Sequence, residues 1–368
     1  MCMRKIATIF TIVLISFSIL YYMVNGLSSK EVNSVGVEKP VETYDLRDKT
    51  VNIAPLSIEQ ILNFSLDVPN NANPNDLITL IATGDYGVVR EVNYKTVTYN
   101  DFNWAVEDFA PLLKSSDITL INLEGPIIYN CPIQHSGFTF CGDYRHVQGL
   151  NYAGIDVVNV ANNHAGNYGI DGVNQTKEIL NDNNILISGV ENKNIVYKRV
   201  KNINFAFLGY NDIGSQVGIS GADILQIKRD IIEAKKNADV VVVSFHWGVE
   251  YTTEITNRQV ELAHNAVDNG ADLIIGNHSH WIQPMEIYKN KLIMFAHGNF
   301  IFDQMWSEET KEGIIGEYVF YKNNLVDAVF YPVYIKDYGK ATIPSKEEGD
   351  YILNRFKDMT NIYNKKSI

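Results

Sequence analysis

The strongest constraint on the fold is a series of short apolar runs, each followed closely by a polar side chain of a type that binds metal ions. The runs are rich in Val, Ile, Leu and Ala and are bounded by polar or turn-forming residues, so they predict strands. Because they are apolar throughout, they predict sheets buried on both faces, as in α/β proteins. The predicted strands are residues 77–82, 118–122, 157–161, 205–210, 240–245, 273–275 and 292–296.

Segments with helical spacing lie between several of these strands. They predict helices at residues 102–114, 169–181, 224–237 and 257–269. This alternation predicts an α/β fold.

Five strand ends carry the candidate ligands. In open α/β sheets, ligands collect at the carboxyl ends of strands, so these side chains should meet at one edge. Each motif is weak by itself, since a lone Gly-Asp is more often a turn, but five in this order favour a site. Carboxylates, an amide and imidazoles suit borderline divalent ions such as Mn²⁺, Zn²⁺ or Fe. The candidates are Asp85, Glu124, Asn163, His164, His246, His278 and His280.

The N-terminus has the pattern of an export signal or membrane anchor. Arg4 and Lys5 precede an uncharged apolar run over residues 6–24. The run is close to the roughly 20 residues that cross a bilayer, which favours an uncleaved anchor, although residues 24–26 leave cleavage and secretion open. The positive-inside rule then places the main domain outside the cytoplasm. We therefore predict a basic cytoplasmic stub and transmembrane helix over residues 1–26.

The remaining chain divides by composition. Residues 27–75 are polar and predict an extracellular linker, residues 76–335 the main domain, and residues 336–368 a C-terminal extension. A formal net charge of -12 argues against a nucleic-acid partner, because polyanion binding needs a basic face. An acidic polymer would be repelled except at a local cationic or metal-bearing spot.

Two cysteines flank the polar stretch CPIQHSGFTFC. Cys131 and Cys141 would lie in an oxidising compartment if the chain is exported, so we expect them to pair. Two unpaired thiols remain the alternative.

The sequence resembles the CapA-type capsule synthesis family, whose best-known members take part in making poly-γ-glutamate. That family is related to the calcineurin-like metallophosphoesterases. The resemblance implies a two-sheet α/β/β/α sandwich with its active site at the strand ends. The matching words are GDYGVVR (84–90), INLEGPI (121–127), YAGIDVVNVANNHAGNYGIDG (152–172), FAFLGYND (205–212), FHWGVEY (245–251), GADLIIGNHSHWIQPMEIY (270–288) and HGNFIFDQ (297–304).

The same resemblance implies a site with two divalent metal ions (Mn, Fe or Zn) and a role for each candidate. Asp85 and His280 would bind the first metal, Asn163, His246 and His278 the second, and Glu124 would bridge them. His164 would be a general acid. Arg90 would bind an anionic substrate group or, equally, form a surface salt bridge, and Glu250 and Asn299 would orient histidines.

Several residues depart from the family pattern. Calcineurin-like enzymes begin with Asp-x-His, but Gly87 takes the histidine position, so one metal site is expected to be weak or empty. Asn167 stands where the family often has Asp, and Asn277 and Ser279 replace residues that are commonly His and Pro. His297 is either a tolerated substitution at an apolar position or an extra ligand.

Three hypotheses for function follow. The first is a membrane-anchored component of an extracellular anionic polymer pathway, acting with the polymer and with other membrane synthesis subunits. The second is a secreted metallophosphoesterase of envelope or nucleotide substrates. The third is a non-catalytic assembly or binding subunit of a capsule pathway. Fold alone does not choose between them.

Overall fold

The computed structural model describes residue 51 and residues 53–192 and 194–366. The predicted anchor over residues 1–26 and the first part of the predicted linker lie outside the described residues. In the part of the chain that is described, no helix is both long and apolar enough to cross a membrane.

The described residues form a mixed α/β structure. Its strands are β1 (Leu77–Tyr86), β2 (Ile118–Leu123), β3 (Ile127–Ile128), β4 (Gly142–Asp143), β5 (Val157–Asn159), β6 (Leu186–Ser188), β7 (Val196–Val200), β8 (Ile203–Asn211), β9 (Val240–His246), β10 (Leu273–Asn277), β11 (Met285–Tyr288), β12 (Lys291–Met294), β13 (Asn299–Ile301), β14 (Glu312–Tyr321), β15 (Asn324–Lys336) and β16 (Lys340–Thr342). Its helices are α1 (Ile58–Ile61), α2 (Arg90–Tyr99), α3 (Ala110–Ser115), α4 (Val147–Ala153), α5 (Gly169–Asp182), α6 (Ile224–Ala234), α7 (Asn257–Asp268), α8 (Glu308–Lys311) and α9 (Lys346–Lys366).

Two large sheets contain nearly all of these strands. The first has the order β16-β15-β14-β1-β2-β5-β6, with β13 also paired to β1, and the second has the order β11-β12-β10-β9-β8-β7. Strands β1, β2, β5 and β6 run parallel, as do β8, β9, β10 and β12. Each sheet therefore presents a row of carboxyl strand ends along one edge.

Both faces of the inner strands of each sheet are buried, which explains why those strand sequences are apolar. Alternate residues of one strand point to opposite faces, so Leu80 packs between the two sheets while Ile81 packs among helices. In the second sheet Val242 faces the first sheet and Val243 faces the helices. Each such side chain contributes about 1.5–3 kcal/mol relative to an exposed position.

The predicted elements are largely present. All seven predicted strands occur, and three of the four predicted helices correspond to α5, α6 and α7. The prediction of a helix over residues 102–114 was wrong in extent, because only Ala110–Ser115 is α-helical. Pro111 lies at the start of α3, and proline is well tolerated at a helix start but breaks a helix interior. Helix α2 was not predicted.

The folded unit extends beyond residues 76–335 at both ends. Leu56, Ile61 and Leu62 are buried and join the core between the sheets. At the other end, Ile352 and Phe356 of α9 pack into the same core. The described half of the predicted linker and the predicted C-terminal extension are thus parts of one unit.

Gly276 in β10 offers a test of how closely the strand ends are packed. A Cβ atom at this position would lie 1.9 Å from the backbone oxygen of Phe295 and 2.7 Å from Nε1 of Trp247. We expect Gly276→Ala to lower the free energy of unfolding by about 3 kcal/mol, because the backbone cannot move away cheaply. Denaturant titration followed by tryptophan fluorescence measures the change.

Gly221→Ala is the matched control. The nearest atom to a Cβ there is the backbone oxygen of Asn211 at 4.0 Å. This variant should stay within about 0.5 kcal/mol of the unmodified protein. Equal stability of the two variants would contradict the packing described for β10.

Candidate metal centre

The strand ends bring the predicted ligands from both sheets to one place. In the first sheet, Asp85 lies near the end of β1 and Glu124 follows β2. In the second sheet, His246 is the last residue of β9, and His278 and His280 follow β10. Ligand atoms of Asp85, Glu124 and His246 lie within 4.8 Å of one another, which is close enough for a shared ion.

A first group of side chains contains Asp85, Glu124 and His280. Nδ1 of His280 lies 3.2 Å from Oδ2 of Asp85, and its Nε2 lies 3.8 Å from Oε1 of Glu124. Burial lowers the pKa of His280, but the charges of Glu124 and Asp85 outweigh it and raise the pKa to about 9. In the protein without metal, this imidazole is therefore the cation that faces both carboxylates.

Asn299 orients His280. Nδ2 of Asn299 donates to the backbone oxygen of Thr310 at 2.9 Å, and a carbonyl oxygen can only accept. This contact turns Oδ1 of Asn299 toward Nδ1 of His280, 2.9 Å away. Nδ1 therefore carries a proton, and Nε2 is the nitrogen that faces Glu124 and could offer a lone pair to a cation.

A second group contains Asn163, His246 and His278. Nε2 of His246 lies 2.8 Å from Oδ1 of Asn163 and 3.1 Å from Nδ1 of His278. Atoms that share one tetrahedral ion at about 2.1 Å lie about 3.4 Å apart, so these spacings are close to what an ion needs. Burial lowers the pKa of His246 well below its usual range and that of His278 to about 3, which keeps both imidazoles neutral.

The loop after β10 holds its two histidines in an unusual backbone conformation. His278 has φ 101° and His280 has φ 56°, both in the region that favours glycine. The backbone N–H of His278 donates to Oδ2 of Asp85 at 3.2 Å. Strained residues of this kind concentrate at functional sites, where neighbouring contacts hold them in place.

The surroundings of the Glu124 carboxylate indicate whether these residues could bind a cation. Its side chain is fully buried, and neither carboxylate oxygen has a hydrogen-bond partner among the residues that the structure describes. Burial raises the pKa of Glu124 well above its usual range, and the nearby charge of Asp85 adds to the effect. A buried carboxylate without a donor is costly, and a bound cation would remove that cost. The donor set therefore fits divalent metal ions.

Asn122 links the two groups and was missed by the sequence analysis. Its Nδ2 lies 2.9 Å from Oδ1 of Asp85 and 3.3 Å from Nδ1 of His246. Its Oδ1 accepts from Nδ2 of Asn159 at 3.1 Å and from Nδ2 of Asn162 at 3.4 Å. The signal was an asparagine inside an apolar strand, since a buried amide must find partners.

His164 lies beside the first group. Its Nε2 is 4.0 Å from Oε1 of Glu124, and its Nδ1 is 3.0 Å from Oδ1 of Asn167. Burial lowers the pKa of His164 to about 4, although its hydrogen bond to Asn167 opposes this. The imidazole is thus neutral near pH 7 in the free protein.

Arg90 is buried and its guanidinium nitrogens are occupied. Nε donates to both oxygens of Asp303 at 3.1 and 3.0 Å, Nη2 also donates to Asp303, and Nη1 donates to the Gly137 oxygen at 3.2 Å. The salt bridge is thus internal, not on the surface, and all three guanidinium nitrogens already have a partner within the protein.

Glu250 lies at the edge of the site and is half-buried. It hydrogen-bonds Tyr251, and burial together with the charge of Glu250 raises the pKa of that tyrosine. The Tyr251 ring stacks near His280, with centroids 5.8 Å apart. The charge of Glu250 also contributes to raising the pKa of His280.

The departures from the family pattern have structural counterparts. His297 is fully buried, with Nε2 2.8 Å from the Tyr318 hydroxyl, which favours a tolerated substitution over an extra ligand. Asn277 donates to the backbone oxygen of Thr83, and Ser279 donates to that of Trp281. Cys131 and Cys141 form a disulfide.

Comparison with known sequences gives a family match and two similar proteins, all of them capsule synthesis proteins. The family model for bacterial capsule synthesis protein PGA_cap matches residues 79–304. The PGA biosynthesis protein CapA of Bacillus subtilis (strain 168) is 34% identical over 229 residues, which cover 58% of this chain and 60% of that protein. The capsule biosynthesis protein CapA of Bacillus anthracis is 32% identical over 271 residues, or 68% of this chain and 66% of that protein. The match thus spans 60–66% of the length of these relatives.

Comparison with solved structures gives distant likenesses. A novel phosphatase from Mycoplasma pneumoniae superposes with a TM-score of 0.48 at 13% identity, covering 75% of this chain and 98% of the other. A hypothetical protein from Thermus thermophilus superposes with a TM-score of 0.47 at 15% identity, covering 70% and 100%.

The Glu124→Gln substitution should affect the stability of the metal-free protein and the stabilisation by bound metal differently. Because burial and Asp85 already disfavour the charged form of Glu124, the substitution should change the free energy of unfolding of the metal-free protein by less than about 1 kcal/mol. The same change should reduce the stabilisation that Mn²⁺ or Zn²⁺ confers. Thermal unfolding in chelator and in added metal measures both effects.

Glu254→Gln is the matched control, because Glu254 is exposed. It should change neither quantity. If added metal stabilises the Glu124→Gln variant as much as the unmodified protein, Glu124 is not part of a metal site.

Proposed function

Since the chain belongs to the bacterial capsule synthesis protein family PGA_cap, we propose that it acts in the synthesis or export of an extracellular anionic polymer of the poly-γ-glutamate type. It would do so through a metal-dependent site of the metallophosphoesterase type. The observation that carries the second part is the buried carboxylate of Glu124. It has no hydrogen-bond partner in the described part of the chain and lies among three imidazoles and Asp85.

We place the main domain outside the cytoplasm, tethered by residues 1–26. The disulfide between Cys131 and Cys141 supports this location, because disulfides persist in oxidising compartments. The basic start and apolar run of the N-terminus support the tether. A tether keeps the domain near membrane subunits that make the polymer, and such subunits are the partners we propose.

Six side chains would hold two divalent ions of the Mn, Fe or Zn type. Asp85, Glu124 and His280 would serve one, and Asn163, His246 and His278 the other, with Glu124 between them. When bound, such ions supply Lewis acidity toward a phosphoryl or carbonyl oxygen and make a nearby water easier to ionise. The ions would also provide the local positive charge that attracts a polyanion to a chain of net charge -12.

His164 would move a proton at Nε2. In the free protein its imidazole is neutral, so Nε2 is ready to accept a proton. An anionic substrate group bound beside it would raise its pKa and favour the protonated form, which can donate to a leaving group. Binding of an anionic substrate group would thus favour the form of His164 that can act as a general acid.

The test of this proposal combines metal content with turnover. The purified full-length protein should contain about two equivalents of Mn, Fe or Zn by elemental analysis. It should also hydrolyse a generic phosphodiester or shorten poly-γ-glutamate. Asp85→Ala combined with His278→Ala should abolish both metal content and turnover, because one ligand is lost from each group.

Asp268→Ala combined with His264→Ala is the matched control. It removes the same two residue types from α7, and it should keep metal and activity. Metal with phosphodiester turnover but no action on the polymer would favour the stand-alone phosphoesterase. A well-folded protein without metal or turnover would leave a non-catalytic assembly subunit as the better account.

A further inference from the structure

The loop of residues 131–141, closed by the disulfide between Cys131 and Cys141, lies directly against His164. The Phe140 ring stacks on the imidazole, with centroids 3.8 Å apart and planes inclined by 24°. The Phe138 backbone forms a hydrogen bond with the same imidazole. The disulfide loop therefore contacts the histidine both through a ring and through its backbone.

Phe140 also controls how Asn167 faces His164. An amide side chain can present its oxygen or its NH₂ group, and these have opposite hydrogen-bonding roles. The backbone N–H of Phe140 can only donate, and it lies 2.6 Å from Oδ1 of Asn167. The same oxygen lies 3.0 Å from Nδ1 of His164, so Nδ1 carries a proton and Nε2 faces Glu124.

Arg90 holds the disulfide loop in place from the other side. Its Nη1 donates to the backbone oxygen of Gly137 at 3.2 Å, and its guanidinium carbon lies 4.7 Å from the centroid of the Phe140 ring. Asp303 fixes the guanidinium through Nε and Nη2. Asp303 lies just after β13. The Arg90–Asp303 pair thus ties the disulfide loop to the segment that follows this strand.

We propose that the disulfide loop is the positioning element of His164, and that Phe140, Asn167 and Arg90 act through it as positioning residues. The loop selects the oxygen of Asn167, and this oxygen selects the proton on Nδ1. Nε2, which faces Glu124, is thereby the nitrogen without a proton in the neutral ring. This inference rests on the proposed function only where His164 is taken as the proton donor. The contacts themselves do not depend on that function.

The test compares the unmodified full-length protein with three variants. Cys131→Ser combined with Cys141→Ser opens the loop. Adding Asn167→Asp to that variant supplies a carboxylate, which presents an accepting oxygen to His164 in either orientation. Cys2→Ser is the matched control, because it removes a thiol outside the pair. Metal content is measured on each form to confirm that the neighbouring ligands remain in place.

Imidazole ¹⁵N spectra at neutral pH provide a readout that does not require activity. In the unmodified protein and in Cys2→Ser, His164 should show the form protonated at Nδ1, assigned by loss of its signal in His164→Gln. The loop-opened variant should shift toward the form protonated at Nε2, which free histidine prefers. Adding Asn167→Asp should restore the first pattern. An unchanged His164 spectrum in the loop-opened variant would overturn the proposal.

Leaving-group dependence provides the second readout. Opening the loop should lower kcat by about 10- to 100-fold for an alkyl phosphodiester, whose leaving group needs a proton, and by less than about threefold for a nitrophenyl ester. KM should stay the same, and Asn167→Asp should recover most of the loss. An equal loss with both leaving groups would also overturn the proposal. A spectral shift in a protein without any turnover would retain the positioning role and reject the hydrolase function instead.

Discussion

Two fully buried carboxylates, Asp85 and Glu124, constrain everything around them in this protein. Burial disfavours the charged form of Glu124, and the nearby charge of Asp85 adds to the effect. Their surroundings are unequal. Asp85 has hydrogen-bonding partners in Asn122 and in the His278 backbone, whereas no described residue hydrogen-bonds the oxygens of Glu124. Glu124 is therefore the carboxylate that a nearby positive charge would stabilise most.

The fold can hold this arrangement because two sheets present their carboxyl strand ends to the same place. Neither sheet supplies a complete ligand set: Asp85 and Glu124 come from the first sheet, and His246, His278 and His280 come from the second. The core between the sheets consequently determines the distance between carboxylates and imidazoles. Close packing at Gly276 makes the position of the histidine loop sensitive to changes of a single carbon atom.

Much of this could be predicted from the sequence because local patterns encode it. A run of apolar residues specifies a buried strand, and the polar residues that follow it fall at the sheet edge, which is where Asp85, Glu124 and His278 lie. Contacts between distant residues have no such local signature. The sequence left a substrate-binding role and a salt bridge equally open for Arg90, because its partner, Asp303, is 213 residues away. Helix α2 was missed because its β-branched and aromatic residues lack a helical apolar pattern, and tertiary contacts decide its structure.

Gly87 shows how a missing ligand is accommodated. A Cβ atom there would lie 2.5 Å from the Phe302 ring, so the space of a larger side chain is already filled. Phe302 packs edge-on against His280, with centroids 5.0 Å apart.

The first group consequently has two carboxylates and one imidazole, while the second has imidazoles and an amide. Harder cations such as Mn²⁺ prefer oxygen donors, whereas imidazole suits Zn and Fe, so the two groups would differ in metal preference as well as in charge. A histidine introduced at position 87 could not remove this difference unless Phe302 gave way first.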